Sequence, residues 1–219
     1  MLIDARSRSE HAAGLVRSYD DTLQLALQDL GLACDLLSET DLTTGDLSRY
    51  DTILIDIRAY LVRADLRANH ARLLDYVHGG GKLVVMYHKS AEWNAKENGG
   101  HSYAPYRLDV TGARTCEEDA AVTVLQPEHP LLCAPNAIGA SDFAGWVQER
   151  GLYFPDHSYD AQYLELLECH DHGEPPRRGG LLVASYGKGR YVYCAYALYR
   201  QIRAAVPGGY RLLANLVSK

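Results

Sequence analysis

A histidine, a glutamate and a tryptophan crowd the stretch Tyr87-His88-Lys89-Ser90-Ala91-Glu92-Trp93, directly after the apolar run Leu83-Val84-Val85-Met86. A histidine so placed could act as a base, donate to a ligand, or cap neighbouring carbonyls, because its charge changes near neutral pH. Its acid–base partner would be Glu92, or Asp20 from the start of the chain. Other apolar runs end in the same way. Arg17, Tyr19 and Asp20 follow the first, Arg58 and Tyr60 a later one, and Tyr196, Tyr199 and Arg200 the last. The candidate ligand-binding set is therefore Arg17, Tyr19, Asp20, Arg58, Tyr60, Tyr87, His88, Glu92, Trp93, Tyr196, Tyr199 and Arg200, with His88 and Glu92 the candidates for catalysis. Aromatic rings beside arginines and carboxylates suit stacking on, and hydrogen bonding to, sugar rings. Arginine–carboxylate pairing would satisfy the same charges with no ligand present.

The remaining clusters point to less chemistry. His170-Asp171-His172-x-Glu174 resembles a metal-ligand set, but it lies in a Gly- and Pro-rich turn. Metal ligands must converge from rigid elements, so a solvated loop is expected there and no metal. Gly187-Lys188-Gly189 lacks the following helix that a phosphate-cradling loop needs, and reads as a hairpin turn. Neither Ser18 nor Ser90 lies in a G-x-S-x-G elbow. The cysteines at 34, 116, 133, 169 and 194 match neither a disulfide framework nor a zinc pattern. Cys34 and Cys194 fall in apolar runs and read as buried free thiols. No cofactor is expected.

These residues need elements to position them. Ile53, Leu54, Ile55 and Ile57 form a β-branched run that suits a strand buried on both faces. Leu66, His70, Leu73, Leu74 and Val77 then recur at helical spacing, ended by Gly79-Gly80-Gly81, and Leu83–Met86 is a second strand. Strand, helix and strand make a right-handed βαβ unit, whose ligand site lies beyond the carboxyl ends of the strands. Before it come a strand over 12–16, a helix over 21–30 with Asp20 as N-cap, and a short strand over 33–37. After Trp93, residues 94–105 read as a mobile loop. Residues 121–125 follow as a strand, 127–132 as a turn with a single helical turn, and 143–154 as an extended stretch. Leu181–Tyr186 and Arg190–Tyr196 form a hairpin, the one antiparallel part, and a helix over 210–217 closes the chain, set off by Pro207-Gly208-Gly209.

Residues 1–219 read as one α/β domain: a three-layer, Rossmann- or flavodoxin-like, mostly parallel sheet with an antiparallel hairpin near the C-terminus, after a polar lead-in over 1–10. A net charge of −6 argues against nucleic acid as the main partner. No apolar run reaches the roughly 18–20 residues of a membrane span, and MLIDARSRSEH has no h-region of a signal peptide. A soluble chain is expected, although a longer parent could be exported. Tyrosine is over-represented, at 16 against 2 Phe and 2 Trp, which favours polar ligands and protein contacts.

The run YDTILIDIRAY…LLDYVHGGGKLVVMYHKS resembles the core of the class I glutamine amidotransferase-like fold. The second half is similar to ThuA-like members, in EHPLL, DFAGWVQERGLYF and YGKGRYVYCAY. DLSRYDTILIDIRAY, DFAGWVQERGLYF, HDHGEPP and VPGGYRLLANLVS resemble the C-terminal region attached to bacterial PIG-L-type deacetylases of N-acetylglucosamine-like sugars. The resemblance implies a nucleophilic cysteine where this chain has His88, and a His-x-Glu after the last strand where it has CAYALYRQ. The deacetylase zinc motif, of His-Pro-Asp-Asp type, is also absent. The thiolate mechanism is thus unavailable. The expected function is a non-catalytic amidotransferase-like accessory domain, associated with a PIG-L-type deacetylase, that binds carbohydrate or mediates protein contacts with a deacetylase domain or a second copy. The alternatives are a hydrolase-like enzyme of altered chemistry using His88 with Glu92 or Asp20, and a plain structural module.

Overall fold

Residues 12–218 are described by the computed structural model; the lead-in over 1–10 lies outside them. The first half follows the expected order of strands, but residues 38–50, which the sequence reads as a polar connection, carry a short helix. β1 (Ala13–Val16), α1 (Thr22–Asp29), β2 (Cys34–Leu36), α2 (Glu39–Thr43) and β3 (Thr52–Ile55) lead into three short helices, α3 (Ala59–Val62), α4 (Ala64–Ala68) and α5 (His70–Gly79). β4 (Lys82–Met86) and α6 (Ser90–Trp93) complete this half. The expected single helix over 66–77 is broken at Asn69, whose side chain donates to the Asp65 carbonyl and caps α4. Gly80, at φ 128, ends α5 in a conformation that side chains rarely adopt.

The second half carries β5 (Ala113–Thr115), β6 (Val122–Val124), α7 (Pro130–Cys133), β7 (Gly151–Phe154), β8 (Leu164–Glu165) and β9 (Leu167–Cys169). It closes with the hairpin β10 (Leu181–Tyr186) and β11 (Gly189–Cys194), then α8 (Leu198–Arg203) and α9 (Pro207–Val217). One seven-stranded sheet runs β2-β1-β3-β4-β11-β10-β8. Its first five strands are parallel, and β3 and β4 are neighbours in register Thr52↔Lys82 to Ile55↔Val85. β1, β3 and β4 are buried throughout, as parallel strands covered on both faces must be. α1, α8 and α9 pack together with α9 against β3, whereas α5 lies on β4 and β11 beside α4. This is the mainly parallel, Rossmann-like three-layer arrangement.

Several local expectations change. Antiparallel pairing extends beyond the hairpin to β8 on β10, β5 on β7 and β6 on β9. Residues 94–105 are not a free loop: Tyr103 and Ala104 are buried, and the Tyr103 ring stacks on Tyr60 at 4.0 Å. The stretch 143–154 is extended only from Gly151. Before it comes a 3-10 turn over Ala140–Phe143, and Trp146 is buried with its indole N–H on the Asp142 carbonyl. Pro207-Gly208-Gly209 does not precede the last helix but forms its first turn, where the missing proline N–H costs nothing. Gly208 is required there, because a Cβ would lie 1.7 Å from the Asp142 carbonyl oxygen.

Candidate functional site

The carboxyl ends of β1, β3, β4 and β11 emerge on one edge of the sheet, as parallel pairing demands. A fifth segment joins them. Leu152 N–H donates to the Ala195 carbonyl and Ala197 N–H to Arg150, so β7 crosses the end of β11 and delivers Tyr153 to the edge. The candidate residues divide into three groups by burial and partner.

His88, Tyr60, Trp93 and Tyr196 belong to the core. His88 is fully buried (0% exposed). Its Nε2 accepts the Tyr60 backbone N–H at 3.2 Å, which places the ring proton on Nδ1, 2.8 Å from the Met86 carbonyl. Burial pulls its pKa down to about 4, so the ring is neutral at pH 7. Trp93 donates to the Leu108 carbonyl at 2.8 Å, and the Tyr196 hydroxyl reaches Cys169 Sγ.

The second group consists of charges that satisfy one another. Arg58, held at a left-handed φ of 51 and by its N–H on the Tyr87 carbonyl, grips Glu92 with Nε at 2.7 Å and Nη2 at 3.2 Å. Glu92 also accepts the Lys89 N–H. Asp20 pairs with Arg203 at 2.8 Å and accepts the Thr22 N–H, doing the capping work although Asp21 holds the N-cap position. Arg200 pairs with Glu149 at 2.8 Å. Each carboxylate named as a partner for His88 thus has a basic partner of its own, and His88 has no ring nitrogen left over.

The third group is open. Tyr19 is 61% exposed, and Arg17 is exposed with its guanidinium on Gln24. The half-buried ring of Tyr153 stacks on the buried ring of Tyr87 at 5.9 Å and 18°, and Tyr199 tilts against Tyr87 at 5.9 Å. Lys89 and Arg114 lie 5.4 Å and 5.6 Å from the centre of the Tyr153 ring. Tyrosine faces flanked by cations are what remains on this edge to meet a ligand.

Asp56, Tyr153, Lys89 and Arg114 were not in the sequence-derived set. Asp56 ends the β3 run and is 1% exposed; its carboxylate accepts Ser18 N–H, Ser18 O–H and Ile57 N–H. Burial outweighs these bonds and pushes its pKa up to about 6, with the nearby Asp20 charge adding to the rise. An acidic residue directly ending a buried strand was the available signal. Tyr153 had none, because its approach depends on β7 crossing β11. Among the described residues no three His, Cys, Asp or Glu side chains converge on a metal position. In the HDHGE loop, Asp171 accepts the N–H groups of Cys116 and Glu117, and Glu174 pairs with Arg177.

A mainly parallel α/β sheet with this strand order is a Rossmann-like fold, and solved structures narrow that fold. A protein from Bacteroides uniformis described as ThuA-like matches over 100% of this chain and 95% of its own, at 13% identity and TM-score 0.54. The fold is ThuA-like. A cytoplasmic protein from Salmonella typhimurium matches over 95% and 99%, at 15% identity and TM-score 0.56. A β-galactosidase from Bacillus circulans sp. alkalophilus matches over 98% of this chain at 15% identity and TM-score 0.56, and this chain spans 31% of that enzyme. No protein-family model and no curated protein matches the chain by sequence. No helix among the described residues is long and apolar enough to cross a membrane.

Proposed function

We propose that this chain is a non-catalytic accessory domain that binds carbohydrate on the tyrosine-lined carboxyl edge of its sheet. The observation that carries the reading is His88. It stands at the expected nucleophile position, yet both ring nitrogens are spent on backbone groups in a fully buried site. The open part of the same edge is instead made of Tyr19, Tyr153 and Tyr199, with Lys89 and Arg114 beside them. That combination stacks on sugar rings and hydrogen-bonds their hydroxyls. A similar fold forming part of a β-galactosidase chain supports an accessory role in a carbohydrate-active protein. The finer reading is association with a PIG-L-type deacetylase, on the strength of the HDHGEPP and VPGGYRLLANLVS strings.

The test is titration by NMR or calorimetry with N-acetylated amino sugars and their oligosaccharides. Saturable binding that weakens about tenfold in Tyr153→Ala is expected, since one stacked ring contributes roughly 1–1.5 kcal/mol. Absence of saturable binding by every sugar, in a protein that co-purifies with no deacetylase, would leave only a structural module.

A further inference from the structure

A cavity of about 840 Å³ lies beside the tyrosine surface, between α3–α5 and the segment 98–103. It is open to solvent along one side, where Leu61, Ala64, Ala68 and Ala71, all exposed, form an apolar wall. Three polar side chains on it have hydrogen-bonding capacity that the protein does not use.

The first is His70, the opening residue of α5, which is only 6% exposed. Its Nδ1 lies 2.5 Å from the Tyr60 hydroxyl, and its Nε2 has no partner. Only one proton arrangement leaves a single orphan: the Tyr60 O–H donates to Nδ1, and the ring proton sits on Nε2. The reverse arrangement would strand both the Tyr60 proton and the Nε2 lone pair, and buried polar groups without partners are costly. The ring is neutral, because burial lowers its pKa to about 4. His70 therefore carries an N–H donor that no protein group uses, set just beneath the cavity surface.

Arg67 comes next. Its Nη1 donates to the carbonyls of Tyr60 (2.5 Å) and Leu61 (3.1 Å), and it has no carboxylate partner among the described residues. Tyr103 is the third: its ring is pinned on Tyr60, and its hydroxyl makes no hydrogen bond among the described residues. Arg67 is near enough for its charge to act on that hydroxyl. Of the other polar lining groups, Glu92 is held by Arg58, and the Asn98 amide spans the Trp93 carbonyl and the His101 N–H. Ser102 Oγ donates to the Ala104 carbonyl, so what remains unspent beside the alanine-lined wall is Arg67, the His70 and Tyr103 donors, and the exposed imidazole of His101 at the rim.

We propose that this cavity binds a small carboxylate with an apolar body, whose carboxylate meets Arg67, the Nε2–H of His70 and the Tyr103 hydroxyl while the body lies on Ala64, Ala68 and Ala71. A cation complements the charge, neutral donors complement the second oxygen, and the short side chains leave room for an alkyl or aryl group.

The experiment titrates the ¹⁵N-labelled protein at fixed ionic strength with hexanoate and benzoate, and separately with hexanamide and benzamide. Histidine side-chain spectra report the protonation of His70 directly. The carboxylates are expected to saturate, shifting the His70 Nε2–H and the amides of Ala68 and Ala71, with the neutral amides about tenfold weaker. Arg67→Met should weaken hexanoate about tenfold. Ala68→Trp, at an exposed helix position, should abolish binding without disturbing the fold. Tyr153→Ala, on the separate sugar-binding surface, should leave hexanoate binding unchanged, so the two sites succeed or fail independently. Equal binding of acid and amide, an unprotonated Nε2, or no saturable shift at an observed His70 resonance would each overturn the proposal.

Discussion

Replacing Asp56 by Asn should change how stability depends on pH, in a direction opposite to most carboxylate substitutions. Burial lifts the Asp56 pKa from 3.8 to about 6. In this window the folded state holds a proton that the unfolded chain has released, so stability must fall as pH rises. The contribution is complete below about pH 4 and gone above about pH 6. At about 1.4 kcal/mol per pKa unit, the loss is on the order of 3 kcal/mol. Asn cannot ionise and removes the slope. It also brings a separate, pH-independent cost of about 1–3 kcal/mol: Oδ1 accepts from Ile57 and Oδ2 from Ser18, and an amide must turn a donor toward one of them. The diagnostic is thus the change across pH, not the offset. Urea unfolding of both proteins between pH 4 and 7.5 measures it, because the other titrating groups cancel in the difference. Relative to the parent, the variant should gain about 3 kcal/mol across the window, or about 1.5 M in midpoint at a slope of about 2 kcal/mol/M. A flat difference, or one of opposite sign, refutes the assignment.

His70 and His88 impose the reverse dependence. Burial holds both near pKa 4, so each contributes stability that is complete above pH 6.5 and is lost as pH falls toward 4, on the order of 3 kcal/mol apiece; a ring-proton titration midpoint near 6.5 for either would contradict this. Arg58→Met strands the Glu92 carboxylate, whose side chain is 4% exposed, and should cost about 2–3 kcal/mol in chemical denaturation. Gly208→Ala must push Asp142 away from the first turn of α9 and should cost about 2–3 kcal/mol; a neutral result would show that the turn can shift freely. The purified protein should release no ammonia from glutamine, and turnover that vanishes on replacing any one cysteine would reverse that reading.

The first half was legible where apolar runs were bounded by glycines or caps and where α1 and α5 kept their apolar spacing, but not at the break at Asn69 or in the polar stretch that holds α2. Ile53–Ile57 and Leu83–Met86 emerged as paired neighbours for that reason. The second half was less so. Its strands are two to four residues long outside the hairpin, too short for a period to show, and their partners lie far off in sequence. Placement at strand ends was legible for His88, Glu92 and Trp93, but direction was not. Whether a ring turns inward depends on groups such as Leu108 and Tyr60, which no spacing around residue 88 reveals. Tyr103 is the clearest case, since Gly99-Gly100 and the charges before it announce a loop, while its ring is pinned against Tyr60.

The position of β11 has a consequence for biosynthesis. β4 lies mid-sheet only because β11 pairs along it, from Arg190↔Lys82 to Cys194↔Met86. As the chain leaves the ribosome, β1 to β4 can assemble first, with β4 as a naked edge of unpaired amides flanked by Leu83, Val84 and Val85. At roughly 5–20 residues per second, that edge waits on the order of 5–20 s for its partner strand. Edge strands of this kind recruit other chains. Nascent chains stalled before residue 189 should therefore need chaperone cover that the finished protein does not, and the β10–β11 hairpin is the seal that ends the exposure.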